Sequence, residues 1–421
     1  MPRRFYVRWL CSLISAGCGA SSGTPPVEHA QAPEATRAPQ VSFADDLAFL
    51  RQHSDLIVLS DQAHRARVIV APQYQGRVMT STATGDRGAS FGFIHRENIQ
   101  SGNRAEHINV FGGEDRFWIG PEAGQFGLYF APGSPFDLAH WQVPEPIDWS
   151  PWYVSSQTAQ AVSLFRPMQL LNYSGTSFTL KAERTIRVLE RGAIAQAFGI
   201  SIPDSASIVG YESANTITNK GDAPWRKDTG LLSVWTLGMF KPSPRTTVVL
   251  PFRPGPEADL GPIVNDAYFG KVPGNRLRVE DGVVFYRGDG QERGKIGIPG
   301  PRARPIVGAY DAQDQVLTLV QYNLDANATD YVNSLWIQQE KPYAGDVVNS
   351  YNDGPPEPGK TQLGAYFEIE TSSKAAALVP GQALTHLQRT LHIMGPREVL
   401  DDIARRTLGV GLDRIENALP R

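Results

Sequence analysis

The segment 366–371 of this sequence, Tyr-Phe-Glu-Ile-Glu-Thr, carries two carboxylates two residues apart, Glu368 and Glu370. If the segment forms a β-strand, its alternation places both carboxylates on one face and Phe367 and Ile369 on the other. Two carboxylates this close change each other's proton affinity, which suits general acid or general base chemistry. The alternative is a pair of solvated side chains on an open sheet face.

A second group of charged residues lies in the segment 111–118, Phe-Gly-Gly-Glu-Asp-Arg-Phe-Trp, and at the nearby Glu122. The two glycines let the backbone turn tightly, which brings Glu114, Asp115 and Arg116 together in one loop. An arginine beside carboxylates forms forked hydrogen bonds with them or with vicinal hydroxyl groups of a ligand. The segment therefore predicts either a ligand-binding loop or a structural ion-pair network.

Aromatic residues are dense between positions 111 and 153, where they alternate with Gly, Pro, Asp and Glu instead of aliphatic residues. Flat aromatic faces cover the C–H faces of a pyranose, while nearby carboxylates and amides bind its hydroxyl groups. Part of the set is expected in the core, since large aromatic side chains are mostly buried. The cluster consists of Phe117, Trp118, Phe126, Tyr129, Phe130, Phe136, Trp141, Trp149 and Trp152.

The segment 336–354 combines two aromatic residues, Trp336 and Tyr351, with the charged side chains of Lys341 and Asp353 and with several amides. Asn, Asp and Gly are turn formers, so the segment predicts loops. Such a density of short polar groups around aromatic rings also suits a hydroxyl-rich ligand. These four residues are therefore candidates for ligand binding.

The elements that must position these residues are mainly β-strands. With 40 Gly and 32 Pro in 421 residues, the sequence has the composition of many short strands joined by turns and long loops. We predict one all-β domain over 41–421, built from two large packed sheets. A short helix is predicted at 41–53 with Ser42 as N-cap, and another at 396–419. The most strand-like segments are 66–71, 76–82, 177–188, 246–250, 283–286 and 316–322.

The first 40 residues predict export. Residues 1–17 place two arginines before a short apolar run and end in small residues, which is the layout of a secretory signal. The Ser-Ala-Gly-Cys sequence ending at Cys18 resembles a bacterial lipobox, so Cys18 is the predicted lipidation site; an ordinary cleaved signal is the alternative. Residues 18–40 predict a disordered tether. We expect a lipid anchor in the bacterial envelope, at the outer membrane facing the periplasm or the cell surface.

Charge and cysteine content restrict the partners. The formal net charge is −3 and no Lys/Arg-rich run occurs, so the sequence predicts no nucleic-acid partner. The two cysteines, Cys11 and Cys18, lie in the leader, which leaves the domain without a thiol for a disulfide or a metal. We expect no cofactor, no metal site and a monomer, with an oxygen-ligated calcium site left open by scattered Asp and Asn.

Three motifs together resemble the galactose mutarotase-like superfamily, the aldose 1-epimerases, over residues 57–395. Pro-Gln-Tyr-Gln-Gly-Arg at 72–77 is similar to the strand and turn that hold Gly-Gly-Arg in that family. Phe-Gly-Gly at 111–113 is similar to its His-Gly-Gly loop. Ile-Glu-Thr at 369–371, followed by Pro-Gly at 380–381, is similar to its Leu-Glu-Thr segment and the Pro-Gly that follows.

The resemblance implies both a fold and a chemistry. The fold is a large two-sheet β-supersandwich with a sugar pocket. Glu370 takes the place of the general base that removes the anomeric hydroxyl proton. Arg77 and Arg116 are expected to hold hydroxyl groups or an acidic group of the sugar, and Trp118 or Trp336 to stack on its ring.

Two departures from the family pattern concern its histidines. Phe111 stands where the loop histidine belongs, and by a looser alignment Trp235 occupies the place of the second histidine. Loss of a general acid removes a contribution of roughly 100-fold or more to the rate. His107, His140 or His386 is a substitute proton donor in one interpretation and a structural histidine in the other.

The leading hypothesis is therefore an exported protein that binds a mono- or oligosaccharide, with an epimerase-type isomerase activity left open. A non-catalytic carbohydrate-binding module is the first alternative. A glycoside hydrolase or lyase that pairs Asp115 or Glu122 with Glu370 is the second. A structural envelope protein without a ligand is the third. The carbohydrate hypotheses require Arg116, Trp118, Trp336 and Glu370 to surround one accessible hollow.

Overall fold

The computed structural model describes residues 41–420. The predicted signal at 1–17, the lipidation site Cys18 and the tether at 18–40 lie outside the described residues and stay predictions. None of the helices in residues 41–420 has the length and apolar character needed to cross a membrane.

The described chain is mostly β-strand, with short helices between strands and at both ends. The strands are β1 Ile57–Ser60, β2 Arg67–Ala71, β3 Arg77–Thr82, β4 Arg116–Gly120, β5 Tyr153–Gln157, β6 Ala161–Leu171, β7 Ser177–Val188, β8 Ser207–Asn219, β9 Ser233–Phe240, β10 Thr246–Pro251, β11 Leu277–Glu280, β12 Val283–Arg287, β13 Gly294–Pro299, β14 Ile306–Asp311, β15 Val316–Tyr322, β16 Asp346–Asn352, β17 Phe367–Ser372 and β18 Ala383–Met394. The helices are α1 Phe43–Leu50, α2 Arg96–Ser101, α3 Glu145–Asp148, α4 Arg191–Phe198, α5 Glu257–Leu260, α6 Arg397–Leu408 and α7 Leu412–Asn417.

The strands form two large antiparallel sheets and one small one. The ten-stranded sheet has the order β11-β12-β10-β14-β15-β18-β8-β7-β6-β5, and the five-stranded sheet has the order β13-β16-β17-β9-β4. A three-stranded sheet, β1-β2-β3, stands beside them. The predicted all-β, two-sheet sandwich is thus confirmed, and the third sheet is an addition that the sequence did not predict.

The core lies between the two large sheets because their strands alternate apolar and polar side chains. Val248 and Val284 of the ten-stranded sheet share one hydrophobic cluster with Ile296 and Ile369 of the five-stranded sheet. The opposite face of the ten-stranded sheet is covered by helices α4, α6 and α7, whose apolar residues share a second cluster with that sheet. One face of the five-stranded sheet is therefore left for loops to cover.

The two terminal helices follow the predicted patterns with shorter bounds. Helix α1 begins after Ser42, whose hydroxyl accepts a hydrogen bond from the Asp45 amide at 3.2 Å, while the Asp45 carboxylate accepts one from the Ser42 amide at 3.0 Å. This capping box fixes the start of the helix. The pattern at 396–419 forms two helices instead of one, because Gly409 adopts a left-handed conformation with φ of 76° and ends α6.

A buried ion pair joins the two large sheets. Asp115, directly before β4, pairs with Arg184 of β7, and neither side chain has any exposed surface. The second carboxylate oxygen accepts a hydrogen bond from the Ser213 hydroxyl at 2.6 Å, and the Arg184 Nε donates to Asn215 at 2.8 Å. Since buried charges are tolerated only when paired and hydrogen-bonded, this network fixes the position of β4 against the larger sheet.

Asp115→Ala should lower the free energy of unfolding by about 3–5 kcal/mol, because it leaves the Arg184 charge buried without a partner. Urea unfolding followed by tryptophan fluorescence measures the change. Asp228→Ala, which breaks an exposed pair with Arg226, is the matched control and should leave the unfolding curve unchanged. Equal effects of the two substitutions would contradict the structural role of the pair.

Candidate functional site

The candidate site lies on the face of the five-stranded sheet that points away from the ten-stranded sheet. The strand register places charged and aromatic residues side by side on this face, since paired positions of antiparallel strands point the same way. Trp118 of β4 is paired with Trp235 of β9. The next two rows across the sheet are Arg116, Leu237, Glu370 and Asn349, then Glu368, Tyr351 and Lys295.

Seven of these residues form the floor of a hollow with a volume of about 240 Å³, whereas Glu370 and Asn349 do not line it. Its walls are aromatic, and exposed apolar side chains of Leu138, Phe269 and Leu363 stand at its edge. Loops before β5, after β10 and around β16 and β17 supply these walls. Besides the floor residues, the lining includes His107, Glu122, Trp141, Arg293, Trp336, Asp353 and Tyr366.

Arg116 and Glu368 form a buried ion pair in the floor of the hollow. The Arg116 guanidinium also lies over the Trp118 ring, 5.0 Å from its centroid. Burial raises the pKa of Glu368, and the neighbouring Arg116 opposes part of this rise. A carboxylate with such a raised pKa is suited to accept or share a hydroxyl proton.

Lys295 and Trp235 both contact the Glu370 carboxylate. The Lys295 ammonium lies 2.9 Å from Glu370 Oε2, and the Trp235 indole nitrogen donates to the same oxygen at 3.0 Å. Glu370 has no exposed surface, and its other oxygen, Oε1, has no hydrogen-bond partner within residues 41–420. Burial lowers the pKa of Lys295, but the Glu370 and Glu122 carboxylates raise it above its ordinary value, so Lys295 stays charged.

Glu122 also lines the hollow. Its backbone amide donates to the Ser334 hydroxyl oxygen at 3.0 Å, which ties it to the loop that carries Trp336. Burial raises the pKa of Glu122, while Lys295 and the indole groups of Trp336 and Trp141 oppose the rise. The Trp336 ring stacks near Trp141 with centroids 5.9 Å apart, and this pair gives the hollow one flat aromatic wall.

A tyrosine and an aspartate close another side of the hollow. The Tyr351 hydroxyl donates to Asp353 Oδ1 at 2.7 Å, and the Gly364 amide donates to Asp353 Oδ2 at 2.8 Å. Burial raises the pKa of Asp353. The segment 336–354 therefore does bring Trp336, Tyr351 and Asp353 to one hollow, as its mixture of aromatic and polar residues predicts.

Four predicted site residues are buried elsewhere because they have structural partners. Arg77 donates to the Gly112 carbonyl at 2.7 Å and to the Gln75 side chain at 2.6 Å. Glu114 accepts from the Ser81 amide at 2.6 Å and pairs with His392, and Asp115 pairs with Arg184. His386 contacts the Thr371 hydroxyl at 2.7 Å, and burial lowers its pKa to about 3. None of these four residues lines the hollow, and their role in sugar binding stays a prediction.

Three further predicted residues, Lys341, His140 and His107, lie in different surroundings. Lys341 is exposed on its loop and does not line the hollow, and its role in ligand binding stays a prediction. His140 is exposed and pairs with Asp137, 2.6 Å away. His107 does line the hollow, and its Nδ1 lies 2.7 Å from the Trp141 carbonyl oxygen. His107 is therefore the one of the three candidate histidines that lines the hollow.

Sequence reasoning missed Lys295, Arg293 and Tyr268. Lys295 lies in the short segment Gly-Lys-Ile-Gly-Ile-Pro, where a charged residue interrupts a strand-like apolar pattern. That interruption was the available signal, since a lysine inside a buried strand needs an anionic partner. Arg293 and Tyr268 come from loops and carry no comparable pattern. Within residues 41–420, no three or more His, Cys, Asp or Glu side chains are grouped to hold a metal ion.

Tyr268 connects the Lys295 side of the hollow to a buried carboxylate. Its hydroxyl donates to Asp346 at 2.6 Å and accepts from the Asn349 amide at 3.1 Å. The Lys295 ammonium lies 5.4 Å from the Tyr268 ring centroid. Burial raises the pKa of Asp346 to about 6. Tyr268, Asp346 and Asn349 thus form a second hydrogen-bonded group beside Lys295.

Lys295→Met should lower the free energy of unfolding by about 3 kcal/mol or more, because Glu370 then stays buried without its cation. The double variant Lys295→Met/Glu370→Gln should be clearly more stable than the sum of the two single changes predicts, since both charges are gone. Urea unfolding of the four proteins measures this coupling. Strictly additive changes would show that the pair does not interact.

Because the pKa of Asp346 is raised, we expect the free energy of unfolding to depend on pH. Its raised pKa means that between about pH 4 and pH 6 the folded chain binds more protons at this site than the unfolded chain does. Its contribution to the free energy of unfolding is therefore largest at low pH and is lost as the pH rises towards 6. Urea unfolding at intervals between pH 4 and pH 7 should show that Asp346→Asn lacks this loss. Parallel curves for both proteins would refute the assignment.

The fold is similar to that of several solved proteins. One from Escherichia coli K12, provisionally named an aldose 1-epimerase, is 12% identical over 81% of this chain and 99% of that one, with a TM-score of 0.48. A protein of Synechocystis sp. PCC 6803 is 13% identical over 82% and 96%, with a TM-score of 0.48. A galactose mutarotase-like protein from Lactobacillus casei is 10% identical over 80% and 100%, with a TM-score of 0.45.

At these identities the likeness concerns the fold, and the activities named for the neighbours are theirs. No curated protein matches the chain. Residues 41–419, nearly all of the described domain, match the model of a family of unknown function, DUF6786, and the chain belongs to that family.

Proposed function

We propose that the hollow binds a single sugar unit. The observation that carries the proposal is the combination, within one hollow, of flat tryptophan faces with fixed carboxylates and cations. Trp336 and Trp141 offer apolar surface for the C–H face of a pyranose. Glu368 and Asp353, each held by a hydrogen-bond or ion-pair partner, offer acceptors for its hydroxyl groups.

The size of the hollow supports a small ligand. Its volume of about 240 Å³ is slightly below the range of about 300–1,000 Å³ that is usual for drug-sized ligands. Exposed Leu138, Phe269 and Leu363 at the edge leave room for further apolar contact outside it. One sugar ring inside, with any attached group outside, fits these dimensions.

Binding is better supported than mutarotation. The family resemblance assigns the base to Glu370, but this side chain has no exposed surface, and Lys295 and Trp235 occupy its Oε2. The Trp235 indole N–H donates a hydrogen bond but does not titrate, so it does not replace a histidine as proton donor. Glu370 is then the ion-pair partner of Lys295, and it raises the pKa of that lysine in the floor of the hollow.

Trp336→Ala should weaken sugar binding by about 10-fold or more, because it removes one flat face of the proposed site. Isothermal titration of the full chain with D-glucose, D-galactose, D-mannose, L-arabinose and their uronic acids measures the change. Tyr153→Ala removes an exposed aromatic ring on β5, outside the hollow, and is the matched control. Failure of every sugar to bind the wild-type chain, or equal loss in both variants, would reject the proposal.

A sugar that binds should still mutarotate at its uncatalysed rate, because the buried Glu370 has no free access to an anomeric hydroxyl. Polarimetry on freshly dissolved sugar, with and without the chain at a concentration above the measured Kd, tests this expectation. Catalysis that Glu370→Gln abolishes would restore the epimerase interpretation and contradict the non-catalytic one.

A further inference from the structure

Arg293 is a cation of the hollow without an ionic partner. Arg116 pairs with Glu368 and Lys295 pairs with Glu370. Within residues 41–420, no carboxylate forms an ion pair with Arg293. Its guanidinium lies 3.9 Å from the centroid of the Phe269 ring and is half-buried in the wall of the hollow. Its charge is therefore available to a ligand.

The Asp353 carboxylate, which also lines the hollow, forms no ion pair with Arg293. Asp353 is engaged by the Tyr351 hydroxyl and the Gly364 amide, at 2.7 and 2.8 Å. Burial raises the pKa of Asp353, and Arg293 is the weakest of the influences that oppose the rise. Asp353 thus has its own partners, and Arg293, whose charge opposes the rise in the pKa of both Asp353 and Tyr351, forms no ion pair within the described residues.

Two hydrogen-bond donors in the floor of the hollow also have no acceptor within residues 41–420. Arg116 Nε and Trp118 Nε1 are buried and have no hydrogen-bond partner within the described residues. Both residues line the hollow. A hydroxyl group both donates and accepts, whereas a carboxylate or phosphate ester presents only acceptors at neutral pH. Unmatched donors together with an unmatched cation favour a ligand that carries an anionic group.

We propose that the sugar bound in this hollow is anionic and that its carboxylate or phosphate ester lies against Arg293. This inference rests on the proposed sugar binding and adds the chemical class of the ligand. The planar guanidinium offers two parallel N–H donors, which match the oxygen spacing of a carboxylate or phosphate. The Phe269 ring under the guanidinium restricts its orientation, so less freedom is lost on binding.

Isothermal titration of the full chain with matched sugars tests the inference. The probes are D-galactose, D-galacturonate and D-galactose 6-phosphate, with the corresponding three compounds of the D-glucose series. The wild-type chain should bind one acidic form at least about 10-fold more tightly than its neutral parent. The uronate and the 6-phosphate distinguish a carboxylate from a phosphate ester as the recognised group.

Arg293→Gln should reduce the affinity for the acidic sugar to that for the neutral one, and Arg293→Lys should keep part of the preference because it keeps the charge. Arg226→Gln, at an exposed arginine paired with Asp228, is the matched control and should leave the preference unchanged. Thermal unfolding of each variant shows whether it is folded under the conditions of titration.

The outcomes separate this inference from the proposed function. Equal affinity for neutral and acidic sugars overturns the anionic ligand and leaves sugar binding intact. A preference for the acidic sugar that survives in Arg293→Gln overturns the assignment to Arg293. Absence of binding by all six probes overturns the proposed function and this inference with it.

Discussion

The pairing of four buried charges on one face of the five-stranded sheet is the constraint on which the site depends. Arg116 with Glu368 and Lys295 with Glu370 are tolerated away from water because each charge has its counterpart in contact. The pairs connect strands β4, β17 and β13, so a shift of register by one residue in any of them would turn its charge towards the core. The same ion pairs therefore fix the register of the sheet and the positions of the charged groups at the hollow.

Hydrogen bonds between the two large sheets stabilise the same strand register. The Thr236 hydroxyl of β9 donates to Gln388 of β18 at 2.7 Å, and Gln388 reaches the Asp115 carboxylate that Arg184 holds. These groups face the ten-stranded sheet, opposite to the candidate site. Because a buried polar group without a partner is costly, alternative registers of β4 and β9 are disfavoured. Residues that never touch a ligand thus fix the positions of those that do.

Local periodicity was sufficient for the all-β class, for several strand bounds and for the common face of Glu368 and Glu370. It was not sufficient to decide which charged residues reach the hollow. Glu114 and Asp115 belong to the same segment as Arg116, yet their partners His392 and Arg184 lie far along the chain and draw them into the interior. Lys295 was missed for the same reason, since its partner Glu370 is 75 residues away. Long-range pairing, which no local pattern contains, decides the site.

Trp235 shows how one side chain restricts the chemistry of this face. An indole N–H is a permanent donor, so the hydrogen bond to Glu370 persists at any pH at which the carboxylate is ionised. A histidine at this position would exchange a proton with its surroundings near neutral pH. The Trp235 indole and the Lys295 ammonium both donate to Oε2, so both donors of Glu370 lie on a single carboxylate oxygen. A carboxylate held in this way orients a cation for binding, whereas proton transfer requires a group whose charge changes during the reaction.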